Sequence, residues 1–309
     1  LDDYQKIAHE MADWSRLKAE PALQFFHEPF GERPAVIAAL KEFDVLCVMR
    51  ERTLFDRETI MGLENLKFLV TTGMRNAALD MNALAERGIP VSGTSGSPHS
   101  TSELAWGHIL SLARHIPIEN QRMREGNWII TLGIDLAGRT LGIIGLGRLG
   151  SHMATVAKAF DMEVIAWSQN LTDARAAEVG ARRVDKDELL RQSDFITIHY
   201  KLSERSTGMI GARELALMKP TAYIINTSRG PIIDTDALID ALRAERIAGA
   251  GIDVYDDEPL AANHPLRSSP RTVLTPHLGY VTDQTYKAFY GQTVESVEAW
   301  LAGAPVRLL

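Results

Sequence analysis

A single cysteine in 309 residues excludes a disulfide scaffold. That residue, Cys47, sits in the apolar run DVLCVMR, which predicts a buried, unreactive thiol. No run approaches the roughly 18 apolar residues of a membrane span, and the opening LDDYQKIAHEMADW is too polar for a signal peptide. Positive charge is also short. With 33 basic against 40 acidic side chains, the net charge is −7, which argues against sequence-independent nucleic-acid binding. Internal repeats, low-complexity tracts and charge blocks are missing. His9, His27, His99, His108, His115, His152 and His264 show no metal-ligand spacing; His108 and His115, seven apart on one helical pattern, come nearest. What is present is 45% hydrophobic and 24% charged residues in mixed order, the composition of a folded, reduced, cytoplasmic protein of about two domains. Residue 1 is leucine, so a start methionine and an initial strand are expected ahead of it.

Short apolar runs alternate with amphipathic segments along nearly the whole chain. In the first part, strands are expected at LQFF (23–26), 44–49, 67–72 and IPVSG, with helices near 33–41, 56–63 and 78–86. A long helical pattern follows from Ser102 to about His115. Further strands are expected at 140–145, 163–167, 195–200, 222–228, 249–254 and 272–275, with a helix over 149–160. Continuous apolar strands separated by amphipathic helices predict an α/β protein with parallel sheets covered on both faces. Two sheets fit the length. Their boundary is expected near residue 100, in the serine-rich SGTSGSPHSTS. The last helical stretch, near 284–302, is expected to return to the first domain, because its apolar face needs a partner.

The strongest local motif is GLGRLG, with Gly145, Leu146, Gly147, Arg148, Leu149 and Gly150 directly after a buried-strand pattern and opening an amphipathic helix. In that context Gly145 permits a tight turn, Gly147 lets the backbone approach a pyrophosphate, and Gly150 lets helix and strand pack closely. The helix N-terminus offers N–H groups to the phosphates, and Arg148 adds charge beside them. An acidic residue at the end of the next strand would accept from a free adenosine 2′-hydroxyl. EVIAW ends instead in Ser168, Gln169 and Asn170. The missing carboxylate permits NADP, and the reading leans slightly to it over NAD, although no arginine follows immediately.

Ligands of doubly wound sheets bind outside the carboxyl ends of the strands. Three polar residues are expected there: Arg229 after AYIINTS, Glu258 after GAGIDV and His277 after TVLT. A guanidinium orients a 2-oxo acid, an imidazolium donates a proton as hydride arrives, and a neighbouring carboxylate favours the charged imidazole. Singly, each has a plainer reading, as a strand-end ion pair, a solvated loop acid and a turn histidine. Trp106 and Trp128 read as packing or interface residues, and Tyr280 as a pocket-lining residue.

The ordered segments GLGRLG, NTSRGPIIDTDAL (226–238), DVYDDEPL (253–260) and TPHLGY (275–280) closely resemble the D-isomer-specific 2-hydroxyacid dehydrogenase family. The similarity includes LKFLVTTGMRNAALDMNALAERGIPVSGT (66–94), which resembles the substrate-loop region, and SELAWGHILSLARH, which resembles the long interdomain and dimer helix. The resemblance implies a Rossmann-type dinucleotide domain (101–283) inserted into a flavodoxin-like substrate domain (1–100 plus 284–309). It implies Arg229 as substrate-orienting residue, His277 as proton donor and Glu258 as its partner. It also implies cofactor contacts from His199, Tyr200, Lys201, Thr227, Ser228, Asp253 and Gly279, substrate contacts from Met74, Arg75 and Asn76, and a homodimer. The implied activity is NAD(P)-dependent interconversion of a 2-oxo acid and a D-2-hydroxy acid. The alternative is a dinucleotide-sensing, protein-binding scaffold of the corepressor type. The chain departs from the family pattern at Arg75, where glycine is usual, at Lys201, where proline is usual, and at Ser168, where aspartate is usual. Arg75 either adds charge to the grip on the substrate or points outward.

Overall fold

The computed structural model describes residues 1–18 and 21–309. The chain divides into two compact units, Leu1–Ser97 with Val281–Leu309, and Pro98–Tyr280. No helix among the described residues is long and apolar enough to cross a membrane.

The first unit is built on three parallel strands in the order β1 (Val45–Val48), β2 (Phe68–Thr71) and β3 (Val91–Gly93). Every residue of the central β2 is buried, as its unbroken apolar sequence requires. Two of the flanking helices start where an aspartate can cap them. Asp56 accepts from the Thr59 amide to open Arg57–Gly62, and Asp80 accepts from Ala83 to open Met81–Glu86. The outer edge of β3 is covered by the chain terminus, with Leu309 N donating to Val91 O and Gly93 N to Arg307 O, both near 3 Å. The terminal helix, Asp283–Leu301, lies on β2 within this unit. Trp300 stacks on Phe68 at 5.2 Å, and Val294 and Val297 join Leu17 and Val70. Cys47 is only partly buried, though burial pushes its thiol up to about 11 and leaves it largely unionised.

One expected strand is absent. Leu23–Phe26 joins no ladder. The Phe26 carbonyl accepts one bond from the Asp3 amide, and its ring packs on Phe30 and Phe43, so this apolar run serves an aromatic cluster instead.

The second unit carries seven parallel strands: β4 (Thr140–Ile144), β5 (Glu163–Trp167), β6 (Arg182–Arg183), β7 (Phe195–Ile198), β8 (Tyr223–Asn226), β9 (Gly249–Ile252) and β10 (Thr272–Leu274). Their order is β10-β9-β8-β7-β4-β5-β6. The chain winds outward from β4 to β5 and β6, then crosses back to β7, which opens a crevice above the carboxyl ends of β4 and β7. The edge strand β6 escapes sequence reading because its two residues are arginines. The helix Ser100–Ala113 buries Ala105, Trp106, His108, Ile109 and Leu112. It ends as His115 turns left-handed (φ +53°) and a second helix, Ile116–Arg124, begins, so His108 and His115 do not share a helical face.

Candidate active site

The three glycines of the turn after β4 differ in what surrounds them. Gly145 sits at φ +99°, and a Cβ there would lie 2.5 Å from the His199 carbonyl oxygen. Gly150 abuts the turn itself, since its Cβ would fall 2.2 Å from the Gly145 carbonyl oxygen. Gly147 differs. It is the N-cap of the helix Arg148–Ala159 without a side-chain cap, and nothing lies within 4 Å of where its Cβ would be. Open space beside uncapped helix amides is the cradle a pyrophosphate requires, so the residues present fit a dinucleotide. Arg148 is exposed and Leu149 half-buried at this turn, whereas the Leu146 side chain belongs to the core and has only its backbone to offer.

On the β5 side, Ser168 is half-buried and Gln169 and Asn170 are exposed. Sequence reading missed two features here. Trp167 stacks on Tyr200 at 5.8 Å and 16°, joining the ends of β5 and β7 in an aromatic wall. Arg175, on the helix Asp173–Glu178, reaches back so that its Nη2 donates to Ser151 Oγ at 2.8 Å, while Nη1 pairs with Glu178 at 2.6 Å. A guanidinium is thereby held against the helix Arg148–Ala159, although none is adjacent to Ser168 in sequence. Across the crevice, His199 Nε2 is 2.9 Å from Thr197 Oγ1, and burial pushes the imidazole down to about 4. Lys201 is exposed.

Beyond β8, Asn226 organises the turn. Its Oδ1 accepts from Ser228 N and its Nδ2 donates to Arg229 O, at 3.0 and 2.8 Å. Ser228 Oγ donates to Tyr200 O, and Arg229 Nη1 to Ser228 O at 2.8 Å. Thr227 is buried with no hydrogen-bond partner for its hydroxyl, an orphan that a bound carboxamide would satisfy. Gly230 brings this turn hard against the next one, because a Cβ there would lie 2.1 Å from the Tyr255 carbonyl carbon.

Two of the three residues expected to carry the chemistry, His277 and Glu258, meet at that next turn. His277 Nδ1 is 2.6 Å from Glu258 Oε2, with side chains 21% and 32% exposed, so the pair faces solvent while held in place. Glu258 Oε1 accepts from Tyr255 N at 2.9 Å. His277 itself is left-handed (φ +55°), and its amide donates to Asp253 O at 2.8 Å. The fully buried Asp253 carboxyl accepts from Thr275 Oγ1 (2.6 Å), Leu278 N (2.7 Å) and Gly279 N (2.9 Å). Burial pushes Asp253 up, against the opposing pull of Thr275, the Leu278 amide and the neighbouring imidazole. Tyr255, pushed up to about 12 by burial and then by Asp253 and Glu258, stays a neutral phenol that donates to Thr275 O at 2.9 Å. Tyr280 meets the His277 ring edge-on at 5.5 Å.

In the first unit, Met74 and Arg75 are exposed on the loop after β2. The Asn76 amide ties the loop to the ends of β1 and β2, donating to Arg50 O and Thr71 Oγ1 and accepting from Ala78 N. Arg50, which sequence reading passed over, lies across Gly73, where a Cβ would overlap its guanidinium. The loop carries Arg75, and Arg50 reaches it from the end of β1, with its Nε 3.4 Å from Glu51 Oε2.

Comparison with known proteins agrees with this architecture. Residues 106–279 match the family described as "D-isomer specific 2-hydroxyacid dehydrogenase, NAD binding domain". Glyoxylate reductase of Thermococcus litoralis is 34% identical over 305 residues, covering 96% of this chain and 88% of that one. D-3-phosphoglycerate dehydrogenase of Synechocystis sp. is 36% identical over 275 residues, covering 88% of this chain; the match spans only 49% of the Synechocystis protein. The crystal structure of a phosphoglycerate oxidoreductase from Vibrio cholerae superposes with a TM-score of 0.93 at 31% identity, covering 98% of each chain. The chain belongs to the D-isomer specific 2-hydroxyacid dehydrogenase family, a family of oxidoreductases with a nicotinamide dinucleotide domain.

Proposed function

We propose that the protein reduces a 2-oxo acid to a D-2-hydroxy acid with a nicotinamide cofactor, and runs the reverse oxidation. The observation that carries this reading is the 2.6 Å contact between Glu258 and His277 Nδ1. With Nδ1 committed, Nε2 is the nitrogen available to exchange a proton with a substrate oxygen. The bound cofactor supplies hydride to the carbonyl carbon. His277 Nε2–H gives its proton to the carbonyl oxygen, and Glu258 holds the ring through the charge change. Arg229 orients the substrate carboxylate and polarises the carbonyl. Gly145, Gly147, Arg148 and the helix amides hold the pyrophosphate, while Ser168, Gln169, Asn170, His199, Tyr200 and Lys201 line the adenosine side. Thr227, Ser228, Asp253 and Gly279 border the nicotinamide.

The unit Pro98–Tyr280 serves as the dinucleotide domain and the other as the substrate domain. Arg75 on the loop after β2, with the Arg50 guanidinium reaching that loop from the end of β1, supports an acid with a second negative group as substrate, with Arg75 adding its charge to the grip. NADP is favoured over NAD. The β5 end has no carboxylate to repel a 2′-phosphate, and the next helix holds the Arg175 guanidinium on Ser151 and Glu178. A homodimer is supported by apolar side chains left exposed after the long helix: Ile116 (50%), Met123 (57%), Trp128 (74%), Ile129 (76%) and Leu132 (90%).

Steady-state rates over a 2-oxo acid panel, including glyoxylate and hydroxypyruvate, with NADPH and NADH, test the proposal. Cofactor consumption dependent on the oxo acid is expected, with the higher kcat/KM for NADPH, and Arg175→Ala narrows that preference. Saturable cofactor binding with no consumption would instead identify a dinucleotide sensor.

A further inference from the structure

His108 is a buried histidine that the proposed chemistry does not use; it is 1% exposed on the helix Ser100–Ala113. Its Nε2 lies 2.9 Å from Thr275 Oγ1, and that hydroxyl lies 2.6 Å from Asp253 Oδ1. Proton counting gives the chain a direction. As a carboxylate, which accepts the Leu278 and Gly279 amides, Asp253 has no proton to give. Thr275 therefore spends its one hydroxyl proton on Asp253 and accepts from His108 Nε2–H. The other ring nitrogen, Nδ1, is left bare. It is buried without a hydrogen-bond partner and faces Gly251, where a Cβ would lie 2.7 Å away. A leucine of similar size would fill the same space with no polar atom to desolvate. The useful part of this side chain is its Nε2–H.

We infer that His108 is a positioning residue that, through Thr275, holds Asp253 as a carboxylate and so fixes the turn presenting His277. The inference rests on the reaction proposed above. That turn is organised by Asp253 from both ends: its carbonyl takes the His277 amide, and its carboxylate takes the next two amides. Should Asp253 gain a proton, its O–H would compete for Thr275. The chain would then reverse, leaving a buried Nδ1–H on His108 with no acceptor. The charge of Asp253 and the tautomer of His108 thus change together. Burial alone keeps His108 down at about 4, so it remains a neutral donor at ordinary pH. The surrounding elements carry other titratable groups. Tyr223 on β8 is stacked on Phe195, Arg271 before β10 is paired with Glu245, and His152 on the phosphate helix is bound to Ser102. Asp253 and His277, past β9 and β10, complete the set, and Asp253 is the one joined to His108 by hydrogen bonds.

Rates of oxo acid reduction against pH for His108→Leu and His108→Gln test the inference, since a glutamine amide can take the place of Nε2–H. His108→Leu is expected to lose about ten-fold in kcat/KM near pH 5.5 but only about two-fold near pH 8, where the lower proton activity itself favours the carboxylate. His108→Gln should recover most of the acid-side loss, with the alkaline limb unchanged in both. A loss equal at all pH values, with His108→Gln no better than His108→Leu, would overturn the inference. A second readout needs no turnover. In the intact protein labelled with 15N-histidine, His108 should give the nitrogen shifts of an Nε2–H tautomer, constant from pH 8 to pH 5.5. An Nδ1–H tautomer, or titration in that window, would overturn it as well. If the unaltered protein reduces no oxo acid while the tautomer is as stated, it is the proposed reaction that fails.

Discussion

The three motif glycines make the same substitution a test of two different properties. In Gly145→Ala the new methyl sits at φ +99° and 2.5 Å from the His199 carbonyl oxygen. The left-handed backbone costs about 1–2 kcal/mol, and relieving the clash by moving backbone adds about 1–2 more, for a total near 3 kcal/mol. Gly150→Ala, with its methyl 2.2 Å from the Gly145 carbonyl oxygen, should cost about as much through overpacking. At about 2–4 °C per kcal/mol for a unit of this size, each should lower Tm by about 6–12 °C. Gly147→Ala meets nothing within 4 Å, so it should cost no more than about 1 kcal/mol, the price of a poorer N-cap. Its methyl would instead stand in the phosphate cradle. A penalty of about 1–3 kcal/mol there raises the cofactor Kd by about five- to 150-fold. Thermal unfolding without cofactor and fluorescence titration with NADPH separate these outcomes. If Gly147→Ala lost as much Tm as the other two, or bound cofactor normally, the assignment of the cradle would be wrong.

Two further predictions concern the titrating groups. His108 and His199 are both held near 4 by burial, below the 6.5 of an unfolded imidazole. The unfolded chain therefore binds more protons in this window, and stability present above pH 6.5 is lost as pH falls toward 4, by about 3 kcal/mol per histidine at most. Urea unfolding of the cofactor-free protein at pH 7 and pH 5 should show the fall, with a shallower slope in His108→Leu. An unchanged midpoint would contradict it. Glu258→Gln keeps a hydrogen-bond acceptor at the 2.6 Å contact but removes the charge that balances the imidazolium. It should lower kcat by about ten- to 100-fold with the cofactor Kd unchanged.

Much of this organisation was legible in the sequence because it depends on local, repetitive signals. Apolar runs such as YIIN and FITI read as buried parallel strands and are so. The glycine spacing of the β4 turn stands out in the sequence, and the surroundings of the three differ, two abutting backbone and one facing open space. Leu23–Phe26 misled because four apolar residues satisfy an aromatic cluster as well as a sheet. The two arginines of β6 carry no apolar pattern at all. The contacts the sequence hid are those set by folding in space. Arg175 reaches the phosphate helix through a crossing of elements, and Arg50 covers Gly73 from a neighbouring strand end. His108 touches Thr275 across 167 positions of chain. It shares no helical face with His115, because His115 is itself the left-handed residue at which the helix ends.

The central claim is that His277, held by Glu258, passes the proton that accompanies hydride transfer. Its most direct measurement compares His277→Ala with the unaltered protein, using hydroxypyruvate and NADPH, by stopped-flow loss of NADPH and by the configuration of the glycerate formed. D-glycerate is expected from the unaltered protein, and His277→Ala is expected to lose about 10²–10⁴-fold in turnover with cofactor affinity within about two-fold. Retention of the rate in His277→Ala, or the L-product, would contradict it.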